Sequence, residues 1–407
     1  MTLPGQDSLP AHQAMPEPAW WRSNRFPLFF SSRLISQIGD MAAVAAIAVH
    51  VYLITGSGLA IGLFFLVRVL PRTMGAFAGA IGDRTELRRL MMCCDLVGAV
   101  VFGAIALADP GFPVLLVLIF IAESAATISA PASSTMVGRT VRSEHLAAAN
   151  GLLLTAISIG FAAGTALGGF AAGSGLFRWA LAADAASFVI SALLLSRLPT
   201  AMPERRAEPD RGFFAEAIAG LSIVRTDRVM ASVTIGLVGV AFAASMDRPA
   251  LIVLVEQNLH SSGFVYGLVL GVIAIGALLA SLSAVRAQVI SRRAAALFSA
   301  GIAGQGIGHL AMGLAPMTAV LLSGAVVAGF GNGLENVCAN TLLQRTAPKE
   351  SLGTLMGMVM SASYLANALG SLVGGMLVDL VHARLTFVTA AAVIAACGLV
   401  RIRWRAK

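Results

Sequence analysis

A chain of 407 residues that is 57% hydrophobic and 12% charged, with a mean hydropathy of +0.85, holds far more apolar material than one water-soluble core requires. The formal charge of +8 invites a nucleic-acid reading, which the placement of the cations removes below. No Gly-x-x-x-x-Gly-Lys, His-Glu-x-x-His, Cys-x-x-Cys or Gly-x-Ser-x-Gly occurs, so ATP hydrolysis, metal and nucleophilic catalysis all lack a constellation, and neither enzyme activity, cofactor nor metal is expected.

Residues 1–24 carry four Pro and no apolar stretch, and read as a disordered cytoplasmic tail without a signal-peptide core. A spanning helix takes about 20 mostly apolar residues. Gly, Pro and charge divide the rest into twelve such runs, near 26–54, 58–82, 90–108, 112–137, 147–170, 176–196, 229–255, 263–285, 294–314, 316–342, 352–378 and 384–401. The fold expected is all-α, a polytopic membrane protein of twelve transmembrane helices in two similar six-helix halves.

Charges inside hydrocarbon are costly and call for a partner or a wet cavity. In span 1, Arg33, Gln37 and Asp40 are spaced by four and three and share one face. Span 2 runs back and carries Arg68 near its middle and Arg72 one turn on, so Asp40 to Arg68 is a plausible pair. An Arg partner favours the charged carboxylate and separation in an apolar cavity disfavours it; the pair is either a proton switch or a static ion pair. Between spans 2 and 3 runs Gly79-Ala-Ile-Gly-Asp83-Arg84-Thr-Glu-Leu-Arg88-Arg89. Its arginines either fix topology or pair with Glu144 in a latch, with Asp83 against the positive end of span 11. Glu123, in span 4, has no cation on its own helix; it handles a proton or cation, or is a neutral carboxyl bonded to Ser124 or Thr127. In span 5, Gly160, Gly164, Gly168 and Gly169 place small residues on one face, for general helix packing or a specific role in exchange.

The polar interval from Arg197 to Arg228 is the longest and divides six spans from six. The expected organisation is a tail (1–24), a first half (25–197), a central cytoplasmic loop (198–228), a second half (229–401) and a tail (402–407). Phe214, Ile218, Leu221 and Val224 recur at helical spacing within the loop, as an interfacial helix or a solvated linker. Asp184 in span 6 and Asp247-Arg248-Pro249 in span 7, the latter read as a local ion pair at a helix break, rank below Asp40 and Glu123. In span 10, Asn332, Asn336, Asn340 and Gln344 recur every four residues beside Glu335, either lining a cavity or bonding between helices. His50 and His309 are isolated within spans and read as packing or hydrogen-bonding residues rather than relays. Cys93, Cys94, Cys338 and Cys397 read as small membrane-core residues.

Of the 28 Lys and Arg residues, Arg178 and Arg384 fall on one side, and Arg33, Arg68, Arg72 and Arg248 lie inside spans; all others sit on alternate loops and the termini. By the positive-inside rule that side, with both termini, is cytoplasmic. Residues 139–169 return at 345–375 with ten identities in 31 positions, and Ser57-Gly58, Gly62 and Leu63 return as Ser262-Gly263, Gly267 and Leu268. Span 5 thus corresponds to span 11 and span 2 to span 8, as expected from duplication of a six-span unit.

The Gly79–Arg89 loop resembles the cytoplasmic loop signature of the major facilitator superfamily, Gly-x-x-x-Asp-Arg followed by basic residues. Gly160-x-x-x-Gly164-Thr165-x-x-Gly168-Gly169 resembles that family's antiporter motif, with Thr165 where Pro is usual. Ser36-Gln37-Ile-Gly39-Asp40, Arg68 with Pro71, and Glu144-x-Leu146 with Asn150-Gly151 are similar to the branch of macrolide-efflux proteins and the enterobactin exporter. The family's drug antiporters often carry an Arg in span 4, and this span has none.

The resemblance implies a secondary active transporter that works by alternating access, with a midplane cavity lined from spans 1, 2, 4, 7, 8, 10 and 11. Export of a hydrophobic or amphipathic small molecule such as a drug, antibiotic or siderophore-like metabolite, by proton antiport, is the expected function. The alternatives are an importer or cation symporter of the same fold, or a receptor or scaffold that has lost transport. Asp40, Glu123 and Arg68 are the coupling candidates. Gly79, Asp83, Arg84, Arg88, Arg89 and Glu144 form the gate, and Gln37, Asn332, Glu335 and Asn336 are the substrate-cavity candidates. The expected partners are the substrate, protons or another cation, and the bilayer, for a monomer in a bacterial inner membrane. High Arg and Ala with few Lys suggest a GC-rich bacterial genome.

Overall fold

The computed structural model describes residues 25–74, 85–141, 145–199, 221–224, 227–286, 289–348 and 351–398. Gly79, Asp83, Arg84 and Glu144, and most of the central loop, lie outside the described residues. The described chain is helical throughout. Its long elements are α1 (Arg25–Thr55), α2 (Gly58–Val69, continued by a 3-10 turn over Leu70–Met74), α3 (Leu87–Ala108), α4 (Phe112–Thr140), α5 (Leu146–Gly173) and α6 (Phe177–Ser196). These are followed by α7 (Arg228–Val253, continued by a π-helical turn over Leu254–Asn258), α8 (Gly263–Arg286), α9 (Val289–Gly313), α10 (Thr318–Thr346), α11 (Leu352–Leu380) and α12 (Ala383–Gly398).

Nine of these helices are long and apolar enough to cross a membrane, among the described residues; α2, α9 and α12 stand beside them, α12 as a shorter apolar helix. Most of their surface is apolar, as in helices sunk in lipid or in a core. Polar caps hold two of the helix starts. Ser57 caps α2 by accepting from Ala60 N, and Asp227 caps α7 by accepting from Val229 N at 2.6 Å and Met230 N at 3.1 Å. Gly56 (φ +62°) and Gly175 (φ +72°) make the turns after α1 and α5 in a backbone region closed to most side chains.

Within the first six helices α1 packs on α5 and α6, and α3 on α4 and α6; within the last six α7 packs on α11 and α12, and α9 on α10 and α12. Two seams join the sets, α2 against α11 and α5 against α8. Each seam joins an element of one set to the duplicate of its partner, so they are two copies of one contact. The glycines show why. A Cβ on Gly169 would run into Gly263 O, and one on Gly375 into Gly58 O; a Cβ on Gly267 would meet Thr165 O, and one on Gly62 would meet Ser371 O. Backbone meets backbone because no side chain intervenes. Gly164 and Gly168 press on Ile38 O and Ala42 O of α1 in the same way that Gly370 and Gly374 press on Phe242 O and Met246 O of α7. The repeat is therefore a packing code carried by two faces of one helix.

The buried core is continuous at one end and divided at the other. A single cluster gathers Ile47 and Val51 (α1), Phe64 (α2), Ile105 (α3), Ile119 (α4), Leu254 (after α7), Tyr266 (α8), Leu321 (α10) and Phe387 (α12). Toward the end where α1 begins, Phe29, Met91, Met136 and Leu195 form one separate cluster, and Val233, Phe298, Leu342 and Leu355 another. The continuous end also carries a polar clasp. Asp379, at the end of α11, accepts from Ser57 Oγ at 2.7 Å, Gly58 N at 2.6 Å and Leu59 N at 3.0 Å at the start of α2. The duplicate position of Asp379 is Gly173, so the clasp exists on one seam alone.

Candidate functional site

A cavity of about 630 Å³ occupies the first six helices. Its deep wall is apolar, with Ile47, Phe64, Phe102 and Ile119, and it extends to Val137 at the end of α4 and Asn150 near the start of α5. Arg33, Gln37 and Asp40 line it together, as their shared helix face predicts. Arg68 sits between two carboxylates: its Nη2 donates to Asp40 Oδ2 at 3.0 Å and its Nε lies 2.6 Å from Glu123 Oε1. The second oxygen of Glu123 takes Arg72 Nη2 at 3.0 Å. Of the two readings of Glu123, the neutral carboxyl bonded to Ser124 or Thr127 does not hold: the carboxylate is shared by two arginines from α2 and its continuation. Those hydroxyls turn to backbone carbonyls, Ser124 to Phe120 O and Thr127 to Glu123 O, because in a helix the carbonyl four residues back is the nearer acceptor.

A second ion pair stands closer to the start of α1. Arg33 Nη2 donates to Asp95 Oδ2 at 3.0 Å and to Ser191 Oγ at 2.9 Å, and Ser191 donates to the same Asp95 oxygen at 2.6 Å. Lining arginines and carboxylates balance, Arg33, Arg68 and Arg72 against Asp40, Asp95 and Glu123. Asp184 lies behind them, fully buried, accepting from Ser187 Oγ at 3.1 Å while its Oδ2 has no partner. Its Oδ1 fills the space that a Cβ on Gly39 would need. Asp95, not singled out by sequence, obeys the rule that selected Asp40, an ionisable group inside an apolar run, as does Asp184, which sequence ranked lower.

The fold is one of long apolar helices in two pseudo-repeated halves, with the cavity and its paired charges at depth inside the first. The model of the Major Facilitator Superfamily matches residues 29–251 and again 233–407. The chain belongs to the Major Facilitator Superfamily. It is 27% identical over 403 residues to the multidrug efflux pump Tap of Mycobacterium bovis, covering 94% of each chain. It is 25% identical over 368 residues to the enterobactin exporter EntS of Salmonella typhimurium, covering 86% of this chain and 85% of that one. Among solved structures, the nucleoside transporter NupG superposes with a TM-score of 0.74 at 14% identity, over 92% of this chain and 97% of that one. A bacterial homologue of the human lysosomal transporter Spinster, in an inward-facing and unoccupied conformation, gives a TM-score of 0.68 at 15% identity, over 93% and 95%.

In this superfamily member the antiporter-like motif lies on an uninterrupted α5. Thr165, where the motif usually has Pro, lies with its hydroxyl 2.7 Å from Phe161 O and 3.2 Å from Gly267 O across the seam. A Cβ on Gly160 would meet Gln37 of α1, so this glycine seats a cavity-lining residue. Of the loop motif, Arg88 and Arg89 are described. They share Glu86 at 3.3 Å and 2.6 Å, and Arg88 also donates to Leu198 O at 2.9 Å, tying α3 to the end of α6.

The second half departs from the sequence reading. Cavity lining was expected from both halves, but the lining residues of this cavity all come from α1 to α6. Asn332, Glu335 and Asn336 are not among them. Glu335 is turned into the core, where the Gln305 side-chain amide of α9 donates to its Oε2; Gly301 and Gly331 bring α9 and α10 close enough for that. The amides of Asn336 and Asn340 bond back to the carbonyls of Asn332 (2.9 Å) and Asn336 (2.8 Å) on an exposed face. Asp247 does not pair with Arg248. Its Oδ2 meets His309 Nε2 at 3.0 Å, while the Arg248 guanidinium lies 5.5 Å from the Phe65 ring centroid and its Nη2 3.5 Å from Asn367 Oδ1. Neighbours in sequence on a helix point about 100° apart, which separates Asp247 from Arg248.

Proposed function

We propose that this transporter exports a hydrophobic or amphipathic small molecule from the cytoplasm of a bacterial cell in exchange for protons, by alternating access across twelve spans. The observation that carries this reading is a cavity with an apolar deep wall and one arginine held between two carboxylates. Its lining reaches the end of the molecule where the buried core divides. The arginine-rich loops belong to that same end, and the positive-inside rule makes it cytoplasmic, with both termini on that side. The chain thus stands open to the cytoplasm and closed outside by the continuous core and the Asp379 clasp. Two relatives, described as a multidrug efflux pump and an enterobactin exporter, support export as the direction.

Arg68 supplies the coupling. Protonation of Asp40 removes one of its two anchors, leaving the guanidinium with Glu123, which Arg72 also holds. A substrate entering from the cytoplasm meets this group at the cavity wall, and competition between substrate and proton for it is the basis of exchange. The test is uptake of a dye panel into inverted vesicles under an imposed pH gradient. Gradient-driven uptake is expected in the wild type and a loss of tenfold or more, on the order of the ~1.5–3 kcal/mol of a charged hydrogen bond, in Asp40→Asn and Glu123→Gln. Uptake insensitive to collapse of the gradient would remove proton coupling, and unimpaired variants would remove this site assignment.

A further inference from the structure

The second half holds an ionisable pair that the cavity mechanism does not use, and hydrogen-bond geometry alone fixes how many protons it carries. His309 Nδ1 lies 2.8 Å from the backbone carbonyl oxygen of Gln305. A carbonyl only accepts, so Nδ1 bears a hydrogen. In a neutral ring of that tautomer Nε2 presents a lone pair, and it faces Asp247 Oδ2 at 3.0 Å. Two lone pairs at that distance repel; the contact is a bond only with one further proton between them. The dyad is then net neutral, as imidazolium with carboxylate or imidazole with carboxylic acid. Loss of that proton leaves one uncompensated negative charge on two side chains that are 6% and 10% exposed.

We propose that Asp247 and His309 form a one-proton binding site in the second half, separate from the Asp40, Arg68 and Glu123 group, whose occupancy holds α7 against α9. The surrounding groups set its reach. Arg248 of α7 follows Asp247 directly, and Tyr266 of α8 is buried nearby with its hydroxyl unpartnered. Glu335 of α10 connects through Gln305, whose carbonyl serves His309 and whose side chain serves Glu335. Arg68 of α2 lies across the interface; on α11 Asn367 holds Arg248, and Asp379 is spent on the clasp. The charged residue of α12 is Arg384, in its first turn, among the described residues.

The site is placed to act on the interface. Pro249 and the π-helical turn over Leu254–Asn258 make this stretch of α7 the irregular one. Arg248, one residue from the dyad, reaches Phe65 of α2 and Asn367 of α11, the two helices of one seam. A proton lost at Asp247 frees α7 from α9 beside the residue that spans that seam. Counting back by the 204-residue offset that relates Ala42 to Met246, the duplicate of Asp247 is Ala43, so the first half has no copy of this site.

The test uses full-length protein in lipid bilayers with 15N-labelled histidine, the His309 signals being assigned by difference against His309→Gln. Nδ1 is expected protonated throughout, with Nε2 hydrogen-bonded at low pH and a single one-proton transition on raising the pH. Asp247→Asn, whose amide donates to Nε2 with a hydrogen that does not dissociate, should keep the tautomer and abolish the transition, whereas Asp40→Asn should leave it in place. A bare Nδ1, no transition over the range in which the protein stays folded, or an unchanged transition in Asp247→Asn would overturn the proposal. Loss of the transition in Asp40→Asn would overturn its separateness. The readout needs no substrate, so failure of proton-driven export leaves it standing or falling by itself.

Discussion

Arg68 is the residue whose chemistry is hardest to replace. Its guanidinium reaches Asp40 through Nη2 and Glu123 through Nε, which a single ammonium cannot span with the same geometry. Arg68→Lys is expected to keep the fold, because Arg72 still serves Glu123, and to lower gradient-driven transport by roughly tenfold, the equivalent of ~1.4 kcal/mol. Equal activity of the Lys variant in the vesicle assay would mean that a point charge suffices. At this scale the sequence was half legible. Asp40, Arg68 and Glu123 stand out as charges in apolar runs, and helix spacing puts Arg33 and Gln37 on the face of Asp40. The partners of Glu123, Asp95 and Asp247 were not legible, because each comes from another helix whose rotation no local pattern fixes.

At the scale of elements, the two seams are set by glycine. A side chain on Gly169 has nowhere to go but Gly263 O, and one on Gly375 meets Gly58 O. Gly169→Val or Gly375→Val must push α5 from α8 or α11 from α2, a strain of about 1–3 kcal/mol. The expected result is lower thermal stability in detergent and loss of transport, with Gly353→Ala, where no atom lies within 4 Å of an added Cβ, as the neutral comparison. Transport at wild-type level in Gly169→Val would mean that the halves do not need this approach. The duplicated Gly patterns of spans 2, 5, 8 and 11 marked these helices in sequence, and the pairing of one with the duplicate of the other's partner is what their symmetry requires.

For the whole molecule, the alternating access proposed above requires the end with the continuous core to open. Opening the continuous end requires α2 to leave α11 there, breaking the three hydrogen bonds of Asp379. In a chain whose four native cysteines are replaced, Ser57→Cys with Asp379→Cys should cross-link on oxidation. Turnover should stop when the bridge forms and return on reduction, measured as dye transport before and after a thiol reagent. Unchanged transport in the fully cross-linked protein would exclude separation of these ends from the cycle. Asp379→Ala alone is expected to shift the population toward opening of this end, read as faster labelling of a cysteine at Ser57.

The sequence by itself determined the membrane environment, the helical runs, the duplication and the side on which arginines gather, because lipid imposes length and polarity on each segment separately. It also marked Asp40, Arg68 and Glu123 as charges in need of partners. Only the tertiary structure decided that one arginine serves both carboxylates, that the described cavity is walled by the first six helices, and that Asp247 turns from its neighbour Arg248 to His309. Those outcomes depend on how helices far apart in the chain are rotated and pressed together, and the close backbone approaches that fix this are made where side chains are missing.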